Sequence, residues 1–173
     1  SEVPEVISFD RKHYYYPDLP KWFQITQYEH PVAIGGTIDC YREDKTSFAV
    51  HLDHFHIEED PAKLTHTKTG TLIDYNRSGK PLLEIVTQPD IYSISDALSY
   101  MNALHKLVRA LKISDGDMEK WQFKSDISIS LRRKWDIGLN PRTEIKNMNS
   151  FKFAQEAILQ EIESQLKYRT EKW

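Results

Sequence analysis

Cysteine occurs once among the 173 residues, at Cys40, so no internal disulfide can form and a reducing compartment is the natural reading. No apolar run approaches the length needed to cross a bilayer. Ser1 to Asp10 lack the basic start and apolar stretch of a signal peptide. A Gly-rich phosphate loop of the Walker type is missing, which excludes a P-loop nucleotide fold. There is no internal repeat and no low-complexity segment. Positive charge is not in excess: a net charge of −3 argues against non-specific nucleic-acid binding by the whole surface, although a local cluster can still hold an RNA end. What is present is a globular composition, 39% hydrophobic and 28% charged, and the length suits one core. A single domain over 1–173 is therefore expected. The chain starts at a serine and stops at Trp173 inside a helical pattern, which reads as a piece of a longer polypeptide.

Tyr14 to Phe23 is aromatic but interrupted by Pro17 and Pro20, so a regular helix is ruled out there. After Gly35 and Gly36, Ile38 to Leu52 looks like paired strands, and His51 to Asp60 alternates with strand period. Thr65 to Thr71 is expected to be a loop, and Leu82 to Thr87 a buried strand. Ser93 and Asp96 have capping-box spacing. Ala97, Met101, Leu104, Val108 and Leu111 then mark an amphipathic helix to about Lys112. Turn chemistry at Ser114 to Gly116 ends it. Strands are expected at Lys124 to Arg132 and Arg142 to Asn147. A C-terminal helix over 150–173 follows, capped by Ser150, with Phe153, Ala157, Ile158 and Ile162 buried. Strands and helices do not alternate, so the class is α+β, with a largely antiparallel sheet and packed helices.

The chemical signal is acid inside strand patterns. Glu84 shares a face with Leu82 and Val86, withdrawn from water, where it needs a cation, a donor or a proton. A structural ion pair or a sheet-edge position would also explain it. In His54 to Asp60, alternation places Glu59 with Phe55 and Ile57, and Glu58 with His54 and His56. Zinc on the histidines is the weaker idea, since no further His or Cys stands at ligand spacing and a solvated polar face explains them as well. A hard cation on oxygen ligands suits Glu59 and Glu84 better. Arg142, Glu144 and Lys146 share a strand side, as do Asp126, Ser128, Ser130 and Arg132. Acid flanked by cations suits a metal-nucleotide site, while a self-neutralising exposed face remains open.

The wording of several motifs is specific. Tyr16-Pro17-Asp18-Leu19-Pro20-Lys21 with Gln24-Ile25-Thr26-Gln27 resembles the B subunit of the tRNA-dependent amidotransferases. So do Ile57-Glu58-Glu59-Asp60 with Lys63-Leu64, and Asp74-Tyr75-Asn76-Arg77-Ser78-Gly79 with Pro81-Leu82-Leu83-Glu84-Ile85. Ser114 to Glu119 and Arg142 to Phe151 complete an ordered set over nearly the whole chain.

The resemblance implies a cradle-shaped catalytic domain similar to that of glutamine synthetase. It implies ATP- and Mg²⁺-dependent phosphorylation of the carboxylate of Glu-tRNA(Gln) or Asp-tRNA(Asn). Amidation would follow, with ammonia from the amidase (A) subunit, in a complex that also holds the small C subunit. A bacterial cytoplasm or an organelle matrix would be the setting, with no membrane. Carried over, Glu59, Glu84 and Glu144 are the expected Mg²⁺ ligands and Asp126 a nearby catalytic acid. Arg132, Arg142 and Lys146 are phosphate candidates on strand-face geometry, and Asn76 and Arg77 lie in a motif loop beside the site.

The sequence also departs from the family pattern. Lys124-Ser125-Asp126 replaces a usual Arg-Cys-Asp, Trp22 stands at a common glycine, and Pro61 replaces a small residue. The family's opening strand with its Glu-x-His pair, its zinc knuckle and its C-terminal helical tail are absent, so the fragment is expected to be poorly active alone. Two rivals exist. One is a non-catalytic tRNA-end or partner-binding module, in which Tyr14, Tyr15, Tyr16, Trp22 and Phe23 stack bases or pack against protein. The other is a ligase for a free amino acid.

Overall fold

The computed structural model describes residues 1–170, the side chains of residues 169 and 170 excepted. In chain order it contains β1 (Asp10–His13), β2 (Phe23–Thr26), β3 (Ala33–Ile34), β4 (Thr37–Tyr41), β5 (Ser47–Glu59), β6 (Lys63–Thr67), β7 (Gly70–Asp74) and β8 (Pro81–Thr87). Helix α1 (Ile94–Ala110), β9 (Ser125–Ile129), β10 (Thr143–Met148) and α2 (Phe151–Thr170) follow. The described strand registers are all antiparallel, and with two helices the class is α+β, as the element order predicts. By contacts the chain forms two compact units, Ser1–Ile38 with Ala49–Asp90 and Asp39–Phe48 with Ile91–Trp173.

In the first unit the long strand β5 is central. It pairs with β3 and β8, and β1–β2 and β6–β7 form separate two-stranded hairpins. Period two sends Val50 and Leu52 inward, at 0% and 6% exposure, and burying side chains of this size contributes about 1.5–3 kcal/mol each. Beyond a register shift between Leu52 and His54 the ladder carries polar groups, and His56 among them is buried too. Residues expected to form a loop at Thr65 to Thr71 instead make the β6–β7 hairpin. Its β-branched threonines suit strands, Thr65 standing opposite Leu72 and Thr71 opposite His66, and at the turn Thr67 Oγ1 donates to Gly70 O at 2.8 Å.

In the second unit α1 starts as its sequence dictates: Ser93 Oγ accepts from Asp96 N at 3.0 Å. Asp96 itself is buried and receives a two-toothed grip from Arg42, Nε to Oδ1 at 2.7 Å and Nη2 to Oδ2 at 3.1 Å. Tyr100, Met101 and Val108 are buried on the core side of α1, whereas Leu111 is exposed beyond the helix end. Gly116 closes the following turn at φ +67°, and a Cβ there would lie 2.9 Å from His105 Nε2, so only glycine fits.

Helix α2 packs on α1 and on the β9–β10 pair. Its buried positions are Ala154 and Ile158, with Ala157 and Ile162 half-buried, while Phe153, expected inside, is exposed. The helix starts at Phe151, and Phe151 rather than Phe153 turns inward to meet His105 edge-on at 5.9 Å. Of the helix expected over 150–173, residues 171–173 lie outside the described residues.

Candidate functional site: paired acids on two strand ladders

Register in the first unit decides which acids meet. His56 stands opposite Glu84, Glu58 opposite Leu82 and His54 opposite Val86, so these six share one face of the β5–β8 ladder. Glu59 stands opposite Pro81 and takes the other face. His56 Nε2 accordingly lies 3.2 Å from Glu58 Oε1 and 3.4 Å from Glu84 Oε2, and one ligand atom from each of the three lies within 4.8 Å of the others.

Hydrogen bonding to Glu58, then to Glu84, raises the His56 imidazole to about 9, overcoming the burial that opposes its charge. Its Nδ1 is buried without a hydrogen-bond partner among the described residues. Burial alone would raise the Glu58 carboxyl. Bonds from His56 and from Thr26 Oγ1 at 3.1 Å, with the charge of Lys12, instead hold it below the ordinary value. Two expectations are thereby corrected. The His56–Glu58 face is not solvated, because Gln24 and Thr26 of β2 lie against it. Glu84 is not withdrawn from water: its side chain is 48% exposed, since β8 pairs with β5 alone among the described strands.

Glu59 is held separately. Its Oε1 accepts from Lys21 Nζ at 2.5 Å and from Ile25 N at 3.0 Å. Burial works against its charge, but these two donors outweigh it and keep its carboxyl low. The structure thus brings Glu84 to Glu58 and His56, and gives Glu59 to Lys21.

The motif residues around these acids have structural reasons. Gln24 Nε2 donates to Glu59 O at 2.8 Å, and Gln27, buried, donates to Ser8 O and His30 O and accepts from Ile57 N at 2.9 Å. Gln27 thus fixes the backbone next to the acid pair. Tyr75 Oη donates to Pro17 O at 2.8 Å and Ala62 N to Asp18 O at 2.9 Å, tying the loop after β7 to the loop before β2. Asn76, exposed, is turned back on Asp74 through N and Nδ2, and Arg77 Nε donates to Pro61 O at 3.1 Å. Gly79 at φ +78° lets this loop close over Glu59, with a Cβ position 4.0 Å from Glu59 Oε2.

In the second unit, β9 and β10 set Glu144 opposite Ser128, on the face that also carries Asp126, while Ile127 and Ile145 take the other face. The apolar side faces α2, whose Gln165 donates to Ile129 O at 3.0 Å and accepts from Leu131 N. The charged side is left to solvent, where Lys146 Nζ lies 3.3 Å from Glu144 Oε2. Asp126 acts locally, because its Oδ1 accepts from Asn147 N at 2.7 Å and supports a bulge in which Asn147 takes φ +61°.

Arg142 is exposed and precedes β10. Arg132 does not lie on a strand, a further correction, here to the expected run from Lys124 to Arg132. Beyond Ile129 the chain bonds to itself, Ser130 Oγ to Asn140 O at 2.6 Å and Asn140 Nδ2 to Leu131 O at 2.8 Å, and Arg132 Nη1 donates to Gly138 O.

Sequence reasoning weighed His54, His56 and Glu58 only as zinc ligands and set them aside in favour of Glu59 and Glu84. Alternation had already put them on one face, and the missing step was the partner strand's register, which adds Glu84 to that face.

Comparison with known proteins agrees with the motifs. A family described as the GatB/GatE catalytic domain matches residues 1–173. The chain is similar to the B subunit of aspartyl/glutamyl-tRNA(Asn/Gln) amidotransferase from Coxiella burnetii, 45% identical over 167 residues, 95% of this chain and 35% of the relative. The same-named protein of Persephonella marina is 46% identical over 164 residues, 95% of this chain and 34% of the relative. That of Campylobacter curvus is 46% identical over 159 residues, 91% and 33% respectively. The chain therefore spans about a third of the length of these curated relatives. By the full-length match and the shared motifs, this chain belongs to the GatB/GatE catalytic domain family.

Proposed function

We propose that this chain is the part of an aspartyl/glutamyl-tRNA amidotransferase in which ATP activates a carboxylate carried on tRNA, on a fold of the glutamine synthetase-like catalytic kind. The observation that carries the reading is the His56–Glu58–Glu84 cluster, two carboxylates and an imidazole on one strand face with a ligand atom from each within 4.8 Å of the others. The substrate would be the side chain of Glu on tRNA(Gln) or Asp on tRNA(Asn). Its carboxylate oxygen attacks the γ-phosphorus of ATP, ADP leaves, and ammonia then attacks the acyl phosphate, expelling phosphate and leaving the amide. Ammonia would come from the amidase (A) subunit, with the small C subunit in the same assembly, in a bacterial cytoplasm or an organelle matrix. Among the described residues no helix is long and apolar enough to cross a membrane.

The donor set fits Mg²⁺. That ion is usually held by one or two carboxylates plus substrate phosphates, and Glu58 and Glu84 supply two carboxylates that already attract the His56 imidazolium. Bound there, Mg²⁺ would offset negative charge on phosphate oxygens. The chain's own residues do the positioning. Thr26 and Gln24 orient Glu58, while Lys21 and Ile25 N–H hold Glu59 on the opposite face of the ladder, away from this cluster. On the second unit Arg142 and Lys146 are the proposed phosphate contacts, with Arg132, and Asn76 and Arg77 are those of the first. Asp126 acts as a positioning residue through the Asn147 bulge that displays Lys146. The test is Glu84→Gln in the complete amidotransferase. Amide formation on tRNA should fall by orders of magnitude while glutamine hydrolysis persists; equal loss of both would reduce Glu84 to a structural role.

A further inference from the structure

The His56 ring is aimed at two acids, yet no hydrogen bond on its far side aims it. An imidazole at a cation site is ordinarily oriented through its other nitrogen, which donates to a carboxylate or a carbonyl. Here Nε2 lies 3.2 Å from Glu58 and 3.4 Å from Glu84, while Nδ1 is buried without a partner among the described residues. The torsion that turns a histidine ring is soft, so rotation would carry Nε2 off the acids unless something else opposes it.

What lies against the ring is a second imidazole. His54 and His56 are two apart on β5 and share a strand face. Their rings stack, with centroids 5.1 Å apart and planes 25° from parallel. A flat neighbour at that distance opposes a turn of the His56 plane. The His54 ring is itself fixed, because its Nδ1 lies 2.7 Å from Asp53 Oδ2. Asp53 is fixed in turn: its Oδ1 accepts from Gln88 Nε2, and its backbone carbonyl accepts from Gly35 N at 2.8 Å.

A register shift makes room for this chain of contacts. Neighbours on a regular strand point to opposite faces, which would part Asp53 from the His54 ring. Leu52 stands opposite Thr87 and His54 opposite Val86, so two steps along β5 match one along β8, and Asp53 is the extra residue. Bulges of this kind re-aim side chains beside functional sites. Across the strands His54 faces Val86 of β8 and Ile34 of β3, and neither side chain offers its nitrogens another partner. The side chains of His54 and Asp53 are 28% and 48% exposed, and a pair so open to water contributes little to stability by itself.

We propose that His54 is a positioning residue for the cation site: its ring, fixed by Asp53, is the plate that keeps His56 Nε2 directed at Glu58 and Glu84. This rests on the proposed function only in that the site takes a cation, and the orientation of His56 is read without one.

The test uses the 173-residue chain and reads ring orientation first, cation binding second. In the metal-free chain at neutral pH, nitrogen-15 NMR of the histidine rings should show the Nε2–H proton of His56, slowed in exchange by the two acids. His54→Leu keeps apolar bulk without a flat face and should lose that signal. His54→Phe restores the flat face without nitrogens and should keep it. Asp53→Ala frees the His54 ring and should speed the exchange several-fold; Asp53 is exposed, so this variant carries the test if His54→Leu fails to fold, which circular dichroism shows. Mn²⁺ affinity, read from the free-ion signal in electron paramagnetic resonance, should fall about tenfold in His54→Leu and little in His54→Phe. No slowed Nε2–H in the unchanged chain, an unaltered signal in folded His54→Leu or in Asp53→Ala, or equal loss in His54→Phe and His54→Leu would each overturn the proposal. If the ring signals behave as expected while the unchanged chain binds no Mn²⁺, the cation reading fails and His54 still orients His56.

Discussion

Gln27→Met asks whether the acid pair is built from its backbone outward. Methionine keeps the length and most of the volume of Gln27 but offers neither donor nor acceptor. Three partners lose their bond: Ile57 N at 2.9 Å, His30 O at 3.0 Å and Ser8 O at 3.1 Å. Ile57 N–H is the costly one, since it is half-buried and an unpaired buried donor costs about 1–3 kcal/mol. The carbonyls are cheaper: His30 lies at the surface and its oxygen also accepts from Ser8 N, so roughly 0.5 kcal/mol each is reasonable. The sum is about 3 kcal/mol, a large share of a typical stability of ~5–15 kcal/mol. For a chain of this size it corresponds to a fall of roughly 6–12 °C in melting temperature. Urea titration followed by tryptophan fluorescence, with circular dichroism as a second probe, measures it. A loss below about 1 kcal/mol would mean that water replaces Gln27 at all three partners and that β5 is positioned by its ladder alone.

Gly116→Ala should destabilise the second unit by about 1–3 kcal/mol, because it combines a left-handed φ with a Cβ against His105, and thermal melting reads it directly. Arg42 and Ser93 hold the Asp96 carboxyl below its ordinary 3.8, the Arg42 bond being the largest cause. With the folded value depressed, the stabilisation is fully present above the unfolded value and is lost as pH falls through the folded one. Asp96→Asn should therefore be less stable than the unchanged chain at neutral pH. The gap should close in acid, and a constant gap down to the acid limit would show that shape and not charge is at issue.

Much of this architecture was legible because local rules and tertiary packing agree. The Ser93 cap, the inward residues of α1 and the alternation of β5 are all consequences of spacing, and the structure has them. Alternation also put Glu58 with His56, but one strand read alone cannot say which acid of a second strand it will face. The antiparallel register that sets His56 opposite Glu84 is a pairing between residues 28 apart in sequence, and it made Glu58 rather than Glu59 the partner. The Arg132 expectation failed for a related reason: Ser130 and Asn140 offer the backbone side-chain bonds that compete with a longer ladder. Trp22 was read as a departure from a family glycine and as one of five aromatics that could stack bases or pack against protein. Its φ of +67°, in the region that favours glycine, is not something a sequence displays.

The most direct measurement is divalent-cation binding by the chain, with Mn²⁺ as a paramagnetic stand-in for Mg²⁺, read by the loss of free-ion signal in electron paramagnetic resonance. Glu58→Gln and Glu84→Gln keep shape and remove one anionic ligand each, and Glu163→Gln on the exposed side of α2 serves as the control. A site present in the unchanged chain and in Glu163→Gln, and weakened at least tenfold by either ligand change, is the result expected from two carboxylates sharing one ion. Binding that survives both substitutions unchanged would contradict it and return the Glu58–His56–Glu84 cluster to a structural ion pair.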